Sequence, residues 1–159
     1  MTDLKGLKVA ILVESGFEQV ELTEPSRGDK FPVDVPLDQA RADDFDALHL
    51  PGGVMNPDTL RMQPKAVAFV KAFFDAGKPV SVICHGPWTV IEAGAARGRR
   101  ITSWPSLETD LRNAGAEWLD QEAVVDGNLV SSRKPDDIPA FNRAMIDLFS
   151  HAREPAHAG

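Results

Sequence analysis

The chain's single cysteine, Cys84, is followed directly by His85 in the stretch SVICHGPW, residues 81–88. A thiolate attacks electron-poor carbon, and a neighbouring imidazole can take up or return the proton. A cysteine that merely fills a core has no use for such a neighbour. The chain enters Cys84 from an apolar run and leaves it through Gly86-Pro87, the pattern of a strand that turns sharply into a helix. Such a nucleophile elbow lifts its side chain into a pocket at the carboxyl end of a sheet. Unpaired N–H groups and the partial positive charge at a helix start favour thiolate, so the Cys84 pKa is expected to fall. Gly86 allows close backbone approach, and Pro87 suits a first helical turn. Taken singly, Cys84 also reads as an inert core thiol and His85 as a surface histidine.

Two other places carry groups of the right kind. Gly52-Gly53 offers backbone N–H groups that can line an oxyanion site, although a tight turn accounts for the pair equally well. Glu18 and Glu21 in SGFEQVEL are carboxylates just past the first apolar run, where solvated helix-start residues are also expected.

The elements that must position these groups are legible as hydrophobic runs. KVAILV (8–13), DALHL (46–50) and PVSVI (79–83) are short and nearly continuous, as strands buried on both faces are. Between the second and third, Val67, Val70, Phe73 and Phe74 fall at helical spacing and Gly77 supplies a stop, which makes a right-handed βαβ unit. Further helices are predicted over 88–96, starting at the cysteine, over 107–113, ending at Gly115, and over 139–149. Residues 123–125 and 129–131, split by Asp126-Gly127-Asn128, predict a hairpin. The class is α/β, with helices on a mostly parallel sheet, in one domain over residues 1–150 followed by a frayed tail over 151–159.

Composition narrows the function classes. A net charge of −7 argues against nucleic acid, whose phosphates require clustered Lys and Arg. No stretch approaches the roughly 18 apolar residues that span a membrane. One cysteine forms no internal disulfide, which fits a reducing, cytoplasmic setting.

Four stretches in order, VESGFEQVELTEP, ALHLPGGVMNPDTLR, VICHGPW and TSWPSLETDLRNAGAEW, resemble the PfpI/ThiJ family of intracellular proteases, protein deglycases and general stress proteins. The likeness runs over nearly all of residues 8–149. It implies a flavodoxin-like sandwich, Cys84 as nucleophile, His85 as its partner, and Glu21 as a protonated acid bonded to the sulfur. It further implies oxyanion donors at the Gly53 and His85 backbone, with Glu18, Gly52, Trp88 and Trp104 as candidates for the pocket. In related proteases a carboxylate from a neighbouring subunit completes the triad. Asp58 is the nearest match here, so a homodimer or larger oligomer is expected. Against the family pattern, roughly 25 residues, a helix–strand unit, are absent after Pro25. The join at Ser26-Arg27-Gly28 reads as a true deletion or a concealed break, the break being favoured. Loss of that unit is expected to leave apolar surface and an unpaired edge beside the first strand.

Three functions follow from these groups: an enzyme acting on reactive carbonyls or early glycation adducts, an intracellular cysteine peptidase, and an oxidation sensor in which Cys84 passes to sulfinic acid beside Glu21. None needs a metal or organic cofactor. The expected partners are a small carbonyl, a glycated substrate or a peptide.

Overall fold

A computed structural model of the chain describes residues 4–15, 17 and 32–152. The junction at residues 26–28, Glu18, Glu21 and residues 153–159 of the tail lie outside the described residues.

Among the described residues, seven strands form two sheets. The main sheet holds β1 (Val9–Ile11), β2 (Ala47–Leu50), β3 (Val80–Ile83), β6 (Ala123–Asp126) and β7 (Leu129–Ser132), in the order β1-β2-β3-β7-β6. All neighbours are parallel except the hairpin β6–β7. The mostly parallel α/β fold predicted from the apolar runs is the one observed. Every residue of β2 and β3 is buried, because helices cover both faces of a central parallel strand.

The two faces bury different partners. Leu48, Leu50, Val80 and Val82 face the larger core, with α2 (Pro64–Asp75) supplying Phe69, Val70 and Phe73. Ile83, Cys84 and Val130 pack with Phe141 of α5 (Ile138–Ser150). The observed α2 matches the predicted spacing, and Gly77 beyond it takes φ +66°, as a residue terminating a helix does.

Three elements differ from the sequence reading. Helix α1 (Met55–Arg61) forms directly after the Gly52-Gly53 loop, where no helix is predicted. Helix α3 spans only Pro87–Glu92, so it begins three residues after Cys84 rather than at it. A second sheet pairs β4 (Arg100–Ile101) with β5 (Glu117–Trp118) around α4 (Glu108–Asn113). Strands of two residues leave no periodicity to read.

Among the described residues, β1 pairs only with β2. Ile11, Val33 and Val35 are 50%, 68% and 45% exposed, and an apolar groove of about 290 Å³ runs beside β1 between Ile11, Val33, Leu37 and Phe69. The junction at residues 26–28, where the helix–strand unit is expected to be absent, lies outside the described residues, so the strand pairing of this edge is stated for the described residues alone.

Candidate active site

The site lies where β2 and β3 end. Leu50 pairs with Val82, so the chain leaving β2 through Pro51-Gly52-Gly53 runs beside the chain leaving β3 through Cys84-His85-Gly86. At this turn Cys84 takes φ +61°, the only non-glycine residue described with positive φ. That conformation costs of order 1–3 kcal/mol and persists only where surrounding bonds hold it. They do so here: the Cys84 N–H donates to the Ser132 carbonyl at 3.1 Å, its carbonyl accepts from the Trp104 N–H at 2.9 Å, and the Gly86 N–H closes back on Ile83 at 3.0 Å. The strand that the sequence predicts before Cys84 is observed, ending at Ile83, but the helix predicted to start at the cysteine does not start there. The helix that follows is displaced by three residues, so the elbow itself, not the first turn of α3, carries the thiol.

Gly86 is required by contact. A Cβ there would stand 2.8 Å from the Leu50 carbonyl oxygen and 2.8 Å from Val82 Cγ2. Gly53 is required by conformation, with φ +75°.

The Cys84 sulfur lies 3.2 Å from His85 Nδ1. Both residues are buried, Cys84 being 7% exposed. The imidazole is held between two indoles: Trp104 stacks on it at 5.8 Å and 23°, and Trp88 meets it edge-on at 5.3 Å. Trp88 is itself fixed, its indole N–H donating to Asp110 at 2.8 Å and the Arg61 guanidinium lying over its ring at 5.6 Å. Burial pushes the His85 pKa below its ordinary value, because a charged imidazole loses its hydration there. The same burial favours the uncharged ring over the imidazolium.

The predicted residues divide as follows. Cys84, His85, Trp88 and Trp104 come together, and Gly52-Gly53 adjoins them at the end of β2. Asp58 does not join them within the chain. It lines an open groove with Arg61, Lys71 and Glu92, and among the described residues no hydrogen bond or ion pair ties it to His85. Glu18 and Glu21 fall outside the described residues.

Three residues near the site, Asn56, Glu14 and Arg133, are not singled out in the sequence reading. Asn56, fully buried, donates to the carbonyls of Pro51 and Gly52 and accepts from the Glu14 N–H. Glu14 follows β1, and its carboxyl is held below the usual range by the Ser15 N–H and the Gln63 amide. Arg133, next to the Ser132 carbonyl that holds Cys84, bridges Asp137 at 2.8 Å and Asp120 at 2.7 Å. Asn56 and Glu14 lie in stretches that the family resemblance rests on, but neither residue is singled out there.

Comparison with known proteins shows what the whole chain is similar to. The model of the DJ-1/PfpI family matches residues 24–148. A deglycase of Thermococcus kodakarensis is 42% identical over 165 residues, covering 89% of this chain and 99% of the relative. General stress protein 18 of Bacillus subtilis is 40% identical over 169 residues, covering 90% and 98%. Since 89% of a 159-residue chain is about 141 residues, roughly two dozen of the 165 positions aligned with the Thermococcus protein have no counterpart here. That agrees with the length expected to be absent. A two-domain protein of Anabaena variabilis with DJ-1/ThiJ/PfpI-like and ferritin-like domains superposes with a TM-score of 0.80 at 34% identity, over 89% of this chain and 47% of that one. No helix among the described residues is long and apolar enough to cross a membrane.

Proposed function

The chain belongs to the DJ-1/PfpI family, and we propose that it is a stress-related enzyme whose Cys84 adds to reactive carbonyls or early glycation adducts. The observation that carries this reading is the thiol held at a strained elbow, 3.2 Å from an imidazole that two indoles keep in place. Named relatives among the deglycases and stress proteins support it.

The first step balances within the chain. The sulfur forms a bond to the carbonyl carbon, the carbonyl π pair moves onto oxygen, and the thiol proton reaches that oxygen through His85. Backbone donors at Gly53 and His85 hold the oxygen as charge develops on it. By the family resemblance, a protonated Glu21 is assigned in this proposal as the donor to the sulfur. With methylglyoxal, proton transfer between the two substrate carbons turns the adduct into a thioester. Water then releases lactic acid and the thiol, with no redox partner. A second copy belongs to the proposal, its Asp58 approaching His85 across a subunit contact.

The test follows methylglyoxal loss, amine release from a glycated amino acid, and peptide release, on the wild type and Cys84→Ser. The expected result is carbonyl turnover in the wild type, lost with the thiol. Peptide release without carbonyl turnover makes the chain a peptidase. Neither activity, with peroxide taking Cys84 to sulfinic acid, makes it a sensor. A strictly monomeric solution mass removes Asp58 from the machinery.

A further inference from the structure

Asn56 lies three residues beyond Gly53, fully buried at the start of α1. Its side chain spends all its polarity on backbone. Nδ2 donates to the Pro51 carbonyl at 3.1 Å and the Gly52 carbonyl at 3.3 Å, and Oδ1 accepts from the Glu14 N–H at 2.6 Å. Two donors and one acceptor in so small a volume are what an asparagine has and neither aspartate nor leucine supplies. We infer that Asn56 is a positioning residue, which fixes the Gly53 N–H as the donor to the oxygen of a carbonyl bound at Cys84. The inference rests on the carbonyl-adding reading above.

Three observations support it. A peptide unit is planar and trans, so its carbonyl and N–H point in opposite directions. With the Gly52 carbonyl drawn into Asn56, the Gly53 N–H of the same unit is turned away from α1. Continuing the β2–β3 register two residues past Leu50 and Val82 brings Gly52 level with Cys84. The end of β2, from which the loop departs, is pressed against the elbow, since the Leu50 carbonyl oxygen stands 2.8 Å from where a Gly86 Cβ would be. A Gly-Gly pair is the freest backbone available. The Asn56 amide restricts that freedom through the Pro51 and Gly52 carbonyls. It also ties the chain leaving β1 to the chain leaving β2, so both approaches to the site share one anchor.

The test uses the full chain with methylglyoxal as probe. Alkylation of Cys84 by iodoacetamide places no charge on a protein-held oxygen, so it reads the thiol alone. Protection of Cys84 from alkylation by methylglyoxal reads the carbonyl adduct. Asn56→Asp keeps the volume and the acceptor for Glu14 but turns both donors into acceptors. Its alkylation rate should stay within about twofold of wild type while protection weakens about 10- to 100-fold, up to the scale of losing an oxyanion donor. Acidification should recover part of that loss relative to wild type at the same pH, because a protonated aspartate donates one hydrogen bond. Asn56→Ala should lose protection with no such recovery. In the wild type itself, the Gly53 amide resonance should move on adding methylglyoxal and stay still in Cys84→Ser. Unchanged protection in either variant, equal loss of alkylation and protection, or an unmoved Gly53 resonance overturns the inference. Turnover is read separately: a wild type that methylglyoxal protects but does not turn over sinks the proposed enzyme and leaves the Gly53 donor standing.

Discussion

Gly86→Ala measures how tightly the elbow is pressed against the end of β2. The added carbon would stand 2.8 Å from the Leu50 oxygen, 2.8 Å from Val82 Cγ2 and 3.0 Å from the Ile83 oxygen. Ordinary contact begins at 3.4 Å, and two of these three atoms are backbone in neighbouring strands. The strand ends must therefore separate by about half an ångström, and such overpacking costs about 1–3 kcal/mol. Alanine recovers part of this. Gly86 sits at φ −49°, ψ −33°, a conformation alanine favours, and restricting the unfolded chain stabilises by about 0.4–1 kcal/mol. A net loss of about 1–2 kcal/mol lowers Tm by about 2–8 °C in a chain of this size. The displaced elbow should also change the Cys84 alkylation rate. Gly94→Ala is the control: it meets no atom within 4 Å but sits at φ +71°, so it should cost about 1–2 kcal/mol of backbone strain and leave Cys84 reactivity alone. Thermal unfolding by circular dichroism and iodoacetamide kinetics read both variants. A Gly86→Ala protein with wild-type Tm and wild-type alkylation would refute the contact argument.

Three further outcomes are expected. His85 has its folded pKa lowered by burial, so its share of stability is complete above about pH 6.5 and is lost as pH falls through the lower folded value; Tm of the wild type should drop below that pH more steeply than that of His85→Gln, and parallel curves would rule this out. Trp104→Ala removes one wall of the imidazole, so an NMR titration should find the His85 pKa moved back up, with loss of about 0.5–1.5 kcal/mol of ring contact; an unmoved pKa would place the cause of its burial elsewhere. Arg133→Ala strands the carboxylate of Asp137, which is 5% exposed, and should cost about 3–5 kcal/mol in denaturant unfolding; a change under 1 kcal/mol would show that water reaches Asp137.

Local chemistry decided what was readable from residues alone. Strands β2 and β3 announce themselves because a strand buried on both faces is apolar at every step or nearly so, and α2 because its apolar residues recur at helical spacing. The hairpin follows from Asp126-Gly127-Asn128, with Gly127 at φ +58° as such a turn requires. Cys84-His85 between an apolar run and Gly-Pro located the candidate site before any coordinate was known. Helix α1 escaped because its seven residues follow a loop without a side-chain cap, too short for periodicity to show. Asn56 escaped with it, since an asparagine near Gly and Pro has the composition of a surface turn, and only the packing of α1 against the loop buries it. Trp104 stands nineteen residues from His85, and the chain must return through β4 before the rings can stack. The strain at Cys84 is likewise tertiary: no local preference puts a cysteine at φ +61°, and bonds from Ser132 and Trp104, both remote in sequence, hold it there. Residue types set which chemistry is available, because reactivity belongs to the side chain. Distance and orientation between those side chains come from contacts that span the fold, and a linear pattern does not contain them.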